Sequence, residues 1–112
     1  MNFANSRVIT RGPNARLTRP VTDIVIDGIF AAKEIALKLK HQGATVIGCD
    51  VYGGIPTVQI VAGRFTEALL KEDVGVHWKS STVSGVREKH GYARVFTDDG
   101  REVRLAWVER GH

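Results

Sequence analysis

The sequence has a single cysteine and no long apolar run. Cys49 alone cannot close an internal disulfide, so we expect a protein of a reducing compartment. A membrane-spanning helix needs about 20 consecutive apolar residues, and polar residues interrupt every apolar stretch well before that length. The first residues also lack the apolar core of a secretory signal. These features predict a cytoplasmic protein that does not associate with membranes.

Acidic residues are missing from the first 22 positions, which contain Arg7, Arg11, Arg16 and Arg19. From Asp23 onward, 12 basic residues balance all 12 acidic ones, so the net charge of +4 comes from the N-terminal segment alone. We interpret residues 1–22 as a basic arm and residues 23–112 as one domain. A chain of this size can bury a core without metal or disulfide staples.

The four arginines of the arm suit phosphate groups, because each guanidinium offers forked donors and stays charged. The alternative is a solvated terminus whose arginines only aid solubility. The sequence leaves both interpretations open, and the charge asymmetry points toward a polyanion.

Motifs of catalysis and cofactor binding are missing as well. The four histidines have no metal-ligand spacing, and one cysteine cannot support a structural zinc site. No glycine-rich phosphate loop or nucleophile elbow is present. Cys49 lies in an apolar strand pattern, where a free cysteine acts as a small hydrophobic residue. We therefore expect a protein that is not an enzyme and uses no cofactor and no metal.

Apolar spacing predicts a main helix over residues 29–41 and a shorter helix over 64–73. The apolar stripe of the main helix consists of Ile29, Ala32, Ile35, Ala36 and Leu39. The run Ile24-Val25-Ile26 is interpreted as a short strand, since it is β-branched and Gly28 follows it. The alternative, a helix that starts at Thr22 and absorbs this run, is disfavoured by the same residues.

Alternating and β-branched patterns predict the strands. They fall at residues 45–51, 57–62, 74–78, 92–97 and 101–109. The first two form a hairpin, residues 80–85 form a loop, and Asp98-Asp99-Gly100 is the turn of the closing hairpin. The fold class is therefore α+β: a mostly antiparallel sheet of about five or six strands with the main helix on one face. The expected core is Ile24, Ile26, Ala32, Ile35, Ala36, Leu39, Val46, Val58, Ile60, Phe65, Leu69, Val95, Val103, Leu105 and Trp107.

The closing hairpin is a second candidate site. If Val95 faces the core, then Tyr92, Arg94 and Phe96 point outward, and Arg104 joins them from the neighbouring strand. Aromatic and guanidinium groups interleaved on an open sheet face suit base stacking and phosphate contact. A register shifted by one residue makes Phe96 an ordinary core residue, and this simpler arrangement is the favoured one.

Further basic residues precede the closing hairpin. In the predicted loop and at its ends lie Lys79, Arg87, Lys89 and His90. They extend the basic patch if the loop folds near the hairpin.

Two hypotheses of different class follow. The first is a small nucleic-acid-binding protein, for DNA or RNA, that uses the arm on phosphates and the outer face of the last hairpin for stacking. The second is a protein-binding inhibitor or adaptor, alone or as a homodimer, of the type found among bacteriophage and mobile-element accessory proteins. Its partner would be a larger machine that handles nucleic acid. A purely structural subunit of an assembly is a third, less favoured possibility.

Overall fold

The computed structural model describes residues 20–52 and 54–111. Their secondary structure is helix α1 (Val21–His41), strands β1 (Val46–Asp50) and β2 (Thr57–Ile60), helix α2 (Arg64–Lys71), and strands β3 (Gly75–Val83), β4 (Val86–Phe96) and β5 (Glu102–Gly111). The sheet order is β1-β2-β5-β4-β3. The β2–β5 pair is parallel, and the other three pairs are antiparallel. The α+β prediction is confirmed.

Helix α1 begins eight residues before the predicted start. The predicted strand at residues 24–26 is wrong, and the disfavoured alternative is the one observed. Pro20 precedes the first turn, and its carbonyl accepts a hydrogen bond from the Ile24 amide at 3.2 Å. Gly28, whose low helix propensity disfavours a helix here, is buried where α1 passes the end of β1. Tertiary packing therefore overrides the β-branched propensity of this run.

The longer helix also presents a different buried face. Its buried residues are Gly28, Ala31, Ala32, Ile35 and Leu39. The predicted stripe and core are wrong at Ile29 and Ile26, which are both exposed. Val21 and Thr22 belong to this helix, so the predicted arm overlaps its first turn.

The first hairpin and the closing hairpin form as predicted. The predicted loop at residues 80–85 is wrong, because β3 continues to Val83 and β4 starts at Val86. Ser84 and Gly85, with φ of 51° and 80°, make a two-residue turn whose twist matches the two strands. Most residues at this end of β3 are exposed, and small polar residues therefore suit it.

Both helices pack on one face of the sheet. The core contains Val58, Ile60, Val103, Leu105 and Trp107 from the strands. Leu69 of α2, Ala93 of β4 and the buried side of α1 complete it. Val46, Phe65 and Val95 pack against the core while partly buried, and Ile24 and Ala36 are half-buried. Apart from Ile26, the expected core residues lie inside or at its border. The opposite face of the sheet therefore holds the outward residues of all five strands.

Candidate nucleic-acid interface on the open sheet face

The sheet has one face that neither helix covers, here called the open face. Alternation from the buried residues assigns to it Tyr92, Arg94 and Phe96 of β4. Register places Arg104 opposite Arg94, Ala106 opposite Tyr92, and Glu102 opposite Phe96. Phe96 is 52% exposed, and Val95 points toward the helices. The favoured register that made Phe96 a core residue is therefore wrong.

Aromatic side chains form a row across β3 and β4. A β-bulge lies between His77 and Lys79, and the Trp78 side chain at this bulge is on the open face beside His90. Their ring centroids are 6.0 Å apart with an interplanar angle of 62°. Trp78 is 61% exposed, and His90 is half-buried. Trp78, His90, Tyr92 and Phe96 thus place aromatic surface along two adjacent strands.

Positive charge accompanies this row. The ammonium nitrogen of Lys79 lies 5.9 Å from the Trp78 ring centroid. The guanidinium carbon of Arg94 lies 5.7 Å from the Phe96 ring centroid. Both contacts have the geometry of cation–π interactions. Trp78 and Phe96 nevertheless stay more than half exposed.

Glu102 holds two of the arginines in place. Arg94 Nη2 donates to Glu102 Oε1 at 2.6 Å, and Arg104 Nε donates to Glu102 Oε2 at 3.4 Å. The hydrogen bond from Arg94 is the main reason that the pKa of Glu102 lies below its ordinary value, and the same bond raises the pKa of Arg94. Both guanidinium groups keep further N–H donors, since each has five and Glu102 has two oxygens.

A third arginine occupies the far end of β5. Arg110 is opposite Glu88 in the register, and its Nε donates to Glu88 Oε2 at 2.8 Å. Its side chain is 70% exposed. With Lys79, Arg94 and Arg104, the described part of the open face has four cations, and the carboxylates of Glu88, Glu102 and Asp50 lie on the same face.

The open face also contains an apolar groove of about 280 Å³. Its lining includes Ile47, Gln59, Val61, Trp78, Val108 and Arg110. Ile47 and Val61 are exposed, although both are large apolar residues. The groove runs from the bulge of β3 toward β1, so apolar surface continues beyond the aromatic row.

The structure separates the site residues proposed from the sequence into two groups. Tyr92, Arg94 and Arg104 lie together on the open face, and Lys79 joins them from β3 rather than from a loop. His90 also lies there, whereas alternation along β4 places Arg87 and Lys89 on the opposite face of the sheet. The arm residues Arg7, Arg11, Arg16 and Arg19 lie outside the described residues.

Sequence reasoning missed two members of the open face. The sequence analysis places Trp78 at the end of the strand at residues 74–78 and assigns it no role in binding. Arg110 lies just beyond the predicted last strand at residues 101–109. The signal for Trp78 is a large aromatic residue directly before Lys79 in a predicted strand. The bulge that turns it outward has no sequence signature.

The buried side of the same strands supports the open face. Trp107 is 2% exposed and donates from Nε1 to Glu109 Oε2 at 3.2 Å. His77 pairs with the same carboxylate. Partial burial raises the pKa of Glu109, but the hydrogen bonds from His77 and Trp107 outweigh it and leave the pKa below its ordinary value.

Cys49 does not act as a buried hydrophobic residue, because it is exposed at the edge strand β1. Partial burial, together with the negative charge of Asp50, raises the pKa of its thiol. A raised pKa keeps the thiol protonated at neutral pH and lowers its reactivity. Within residues 20–52 and 54–111, no three His, Cys, Asp or Glu side chains come together as a metal site.

No protein-family model and no curated protein matches this sequence. Neither α1 nor α2 is long and apolar enough to cross a membrane. Function must therefore be argued from the open face itself.

Proposed function

We propose that this protein binds nucleic acid on the open face and prefers unpaired bases. The observation that supports this proposal most strongly is the row of Trp78, His90, Tyr92 and Phe96 beside exposed cations, on the sheet face that neither α1 nor α2 covers. Proteins that bind single strands combine a positively charged surface with aromatic rings on which successive bases stack. Duplex bases offer no free faces, so this arrangement favours single strands.

Stacking supplies the sequence-tolerant part of the binding. Trp78 and Phe96 have the most exposed rings of the row, and each has a cation near its face. A base that stacks on either ring brings its phosphate near Lys79 or Arg94. Each stacked base contributes about 1–3 kcal/mol in alanine-substitution measurements.

Phosphate contacts supply the salt-dependent part. Arg94, Arg104 and Arg110 keep free donors beside their carboxylate partners. In this proposal, the arginines of residues 1–22 add phosphate contacts without reading the bases. For single strands, the slope of log affinity against log salt is about −0.7 per phosphate contact. By the same rule, a measured slope near −3 corresponds to about four phosphate contacts in total.

A protein-binding module remains the alternative, and the sheet edges weigh against one version of it. Strand addition needs a regular free edge. The two edge strands of the described sheet are β3 and β1. Strand β3 has a bulge at residues 77–79 and carries Lys79, and β1 is short and irregular between Val46 and Gly48. Bulges, lysines and short strands oppose edge-to-edge pairing.

The proposal is tested by fluorescence anisotropy with a labelled single-stranded oligonucleotide at low salt. We expect Trp78→Ala to weaken binding about tenfold or more, because a stacked base loses its platform. Trp78→Phe keeps an aromatic ring and should lose much less. Tyr52→Ala is the matched control, since Tyr52 is an exposed aromatic residue in the turn after β1.

Three results would reject the proposal: no binding at low salt, equal affinity of Trp78→Ala and the wild type, or tighter binding to the duplex of the same sequence. Replacing the four arm arginines with alanine is a separate measurement. A smaller salt slope with an unchanged Trp78→Ala effect assigns phosphate contacts to the arm and stacking to the open face.

A further inference from the structure

The outer side of α1 has an apolar stripe that no described element covers. Ile26, Phe30 and Leu37 are 43%, 63% and 48% exposed. They lie opposite the buried residues of the same helix, since 100° per residue places them on the reverse side. A helix that is apolar on both sides has a second partner or an unfavourable exposed surface.

Charged residues extend this stripe with a regular spacing. Asp23 precedes it, Lys33 interrupts it, and Lys40 follows it, so that the spacings along the helix are three, four, three, four and three residues. This alternation of three and four is the spacing of the positions by which one helix packs lengthwise against another, and three of the six positions here are charged. At about 1.5 Å per residue, the 21-residue helix offers roughly 30 Å of contact length.

The stripe is complementary to itself when a second copy runs antiparallel. A two-fold axis midway between Ala31 and Ala32 places Asp23 opposite Lys40 of the other copy. The same axis places Ile26 opposite Leu37, and Phe30 opposite Lys33. Each pair occurs twice by symmetry and is favourable: opposite charges, two apolar side chains, and a cation beside an aromatic ring.

We propose that α1 is the interface of a two-fold homodimer in which the two α1 helices pack antiparallel. Asp23, Lys33 and Lys40 form no ion pair within the part of the chain that the structure describes, so their charges are available to the partner. The antiparallel arrangement also places the positive N-terminal end of each helix dipole beside the negative C-terminal end of the other. The proposal does not depend on nucleic-acid binding.

Charge distinguishes a second copy from the other occupants of this surface. Residues 1–19 contain four arginines and no acid, so they match Lys33 and Lys40 poorly. A chemically unrelated protein would have to present the same alternation of charge and apolar side chains in reverse order. A second copy of α1 has that order by symmetry.

Polar contacts hold α1 in the orientation that exposes the stripe. Lys38 Nζ contacts Asp98 Oδ1 at 2.6 Å and Glu34 Oε2 at 3.3 Å. The Asp98 amide donates to Glu34 Oε2 at 2.7 Å. These contacts tie one flank of the helix to the turn between β4 and β5 and form a polar border beside the apolar stripe.

Sedimentation velocity of the full chain, from about 1 to about 500 µM, tests whether a dimer forms in the range expected for a small interface. We expect a concentration-dependent monomer–dimer equilibrium, and Leu37→Glu should weaken it at least tenfold. Ile47→Glu is the matched control, because Ile47 is also an exposed apolar residue but lies on the open face. A monomer at every concentration would overturn the proposal. So would a dimer that Ile47→Glu dissociates and Leu37→Glu leaves intact.

A charge-reversal pair tests the antiparallel register. Asp23→Lys and Lys40→Asp should each weaken self-association, because like charges then face each other across the axis. Mixing the two variants should restore association as a heterodimer, in which both contacts are again between opposite charges. Circular dichroism confirms that each variant is folded. A mixture that associates no better than the separate variants would overturn the antiparallel arrangement.

Discussion

At Gly91 the backbone of β4 lies directly against the indole of Trp107. A Cβ atom built at this position would be 2.0 Å from Cε2 of Trp107. Only glycine permits this approach without moving a large buried side chain. The tryptophan that fills the space beneath β4 thus depends on one residue of the neighbouring strand.

We expect Gly91→Ala to lower the free energy of unfolding by about 2–3 kcal/mol, because the added methyl group overpacks a rigid core. Urea denaturation measures the change. Gly111→Ala is the control: nothing lies within 4 Å of a Cβ there, and the residue is at the exposed end of β5. Its effect should stay within about 0.5 kcal/mol. Equal effects of the two substitutions would contradict the packing argument.

Glu102 limits the positive potential of the open face, because its carboxylate contacts both Arg94 and Arg104. We expect Glu102→Gln to raise the affinity for a single-stranded oligonucleotide about threefold at low salt. The salt slope should also become steeper by about 0.7 for each additional phosphate that the freed arginines bind. Fluorescence anisotropy at several salt concentrations measures both quantities.

Glu109→Gln is the control, because it changes the net charge by the same amount. Glu109 lies on the helix-bearing side of the sheet beside Trp107. The substitution removes the same unit of negative charge but frees no arginine of the open face. An equal rise in affinity for both variants would show that net charge alone is responsible, and it would remove the open face from the proposed function.

Among the elements, α1 shows why local propensity misplaced a boundary. The β-branched run Ile24-Val25-Ile26 and the following Gly28 predict a short strand that ends before the helix. Each of these residues lowers the helix propensity of the segment. In the fold, Gly28 is buried beside the end of β1. The contact between these elements joins residues that are distant in sequence, and a local pattern does not include it.

Gly28 should tolerate a side chain and benefit from one. A Cβ there would be 3.4 Å from Val51 Cβ, an ordinary van der Waals contact, and the helical backbone is compatible with alanine. We expect Gly28→Ala to raise the free energy of unfolding by about 0.5–1 kcal/mol, because alanine loses less backbone freedom on folding. Thermal and urea unfolding measure the gain.

Gly75→Ala is the contrasting variant. A Cβ at that position would be 3.0 Å from Trp107 Cη2 and 3.2 Å from Leu69 Cβ. It should destabilise the fold by about 1–3 kcal/mol through overpacking. If Gly28→Ala were also destabilising, the contact with Val51 would be tighter than the structure shows.

For the molecule as a whole, acid should lower stability through three carboxylates. A hydrogen bond from the Thr97 hydroxyl is the main cause that lowers the pKa of Asp99, and Arg101 adds to it. The pKa values of Glu102 and Glu109 are lowered as well. A group whose pKa falls on folding stabilises the native state above its ordinary pKa, near 4, and loses this contribution as the pH falls through the lowered value.

The midpoint of urea unfolding should therefore be higher at pH 6 than at pH 3. Asp99→Asn should be less stable than the wild type at pH 6 and should lose less stability between the two pH values, since its amide does not titrate. A midpoint that Asp99→Asn lowers equally at both pH values would contradict the role of the Asp99 charge.

The sequence by itself determined the α+β class, the two hairpins and most of the core. These features follow from short-range periodicity: alternation along Val103, Leu105 and Trp107, and helical spacing through Ile35 and Leu39. It also determined the charge asymmetry, because composition does not depend on the fold.

The tertiary structure alone decided the start of α1, the continuation of β3 through its small polar residues, and the outward register of Phe96. It also placed Trp78 beside His90 through a bulge, and it put the apolar stripe of α1 on an uncovered side. Each depends on contacts between residues far apart in the chain. Such contacts outweigh local propensities of a few tenths of a kcal/mol per residue, and for that reason both interaction surfaces became visible only in the folded molecule.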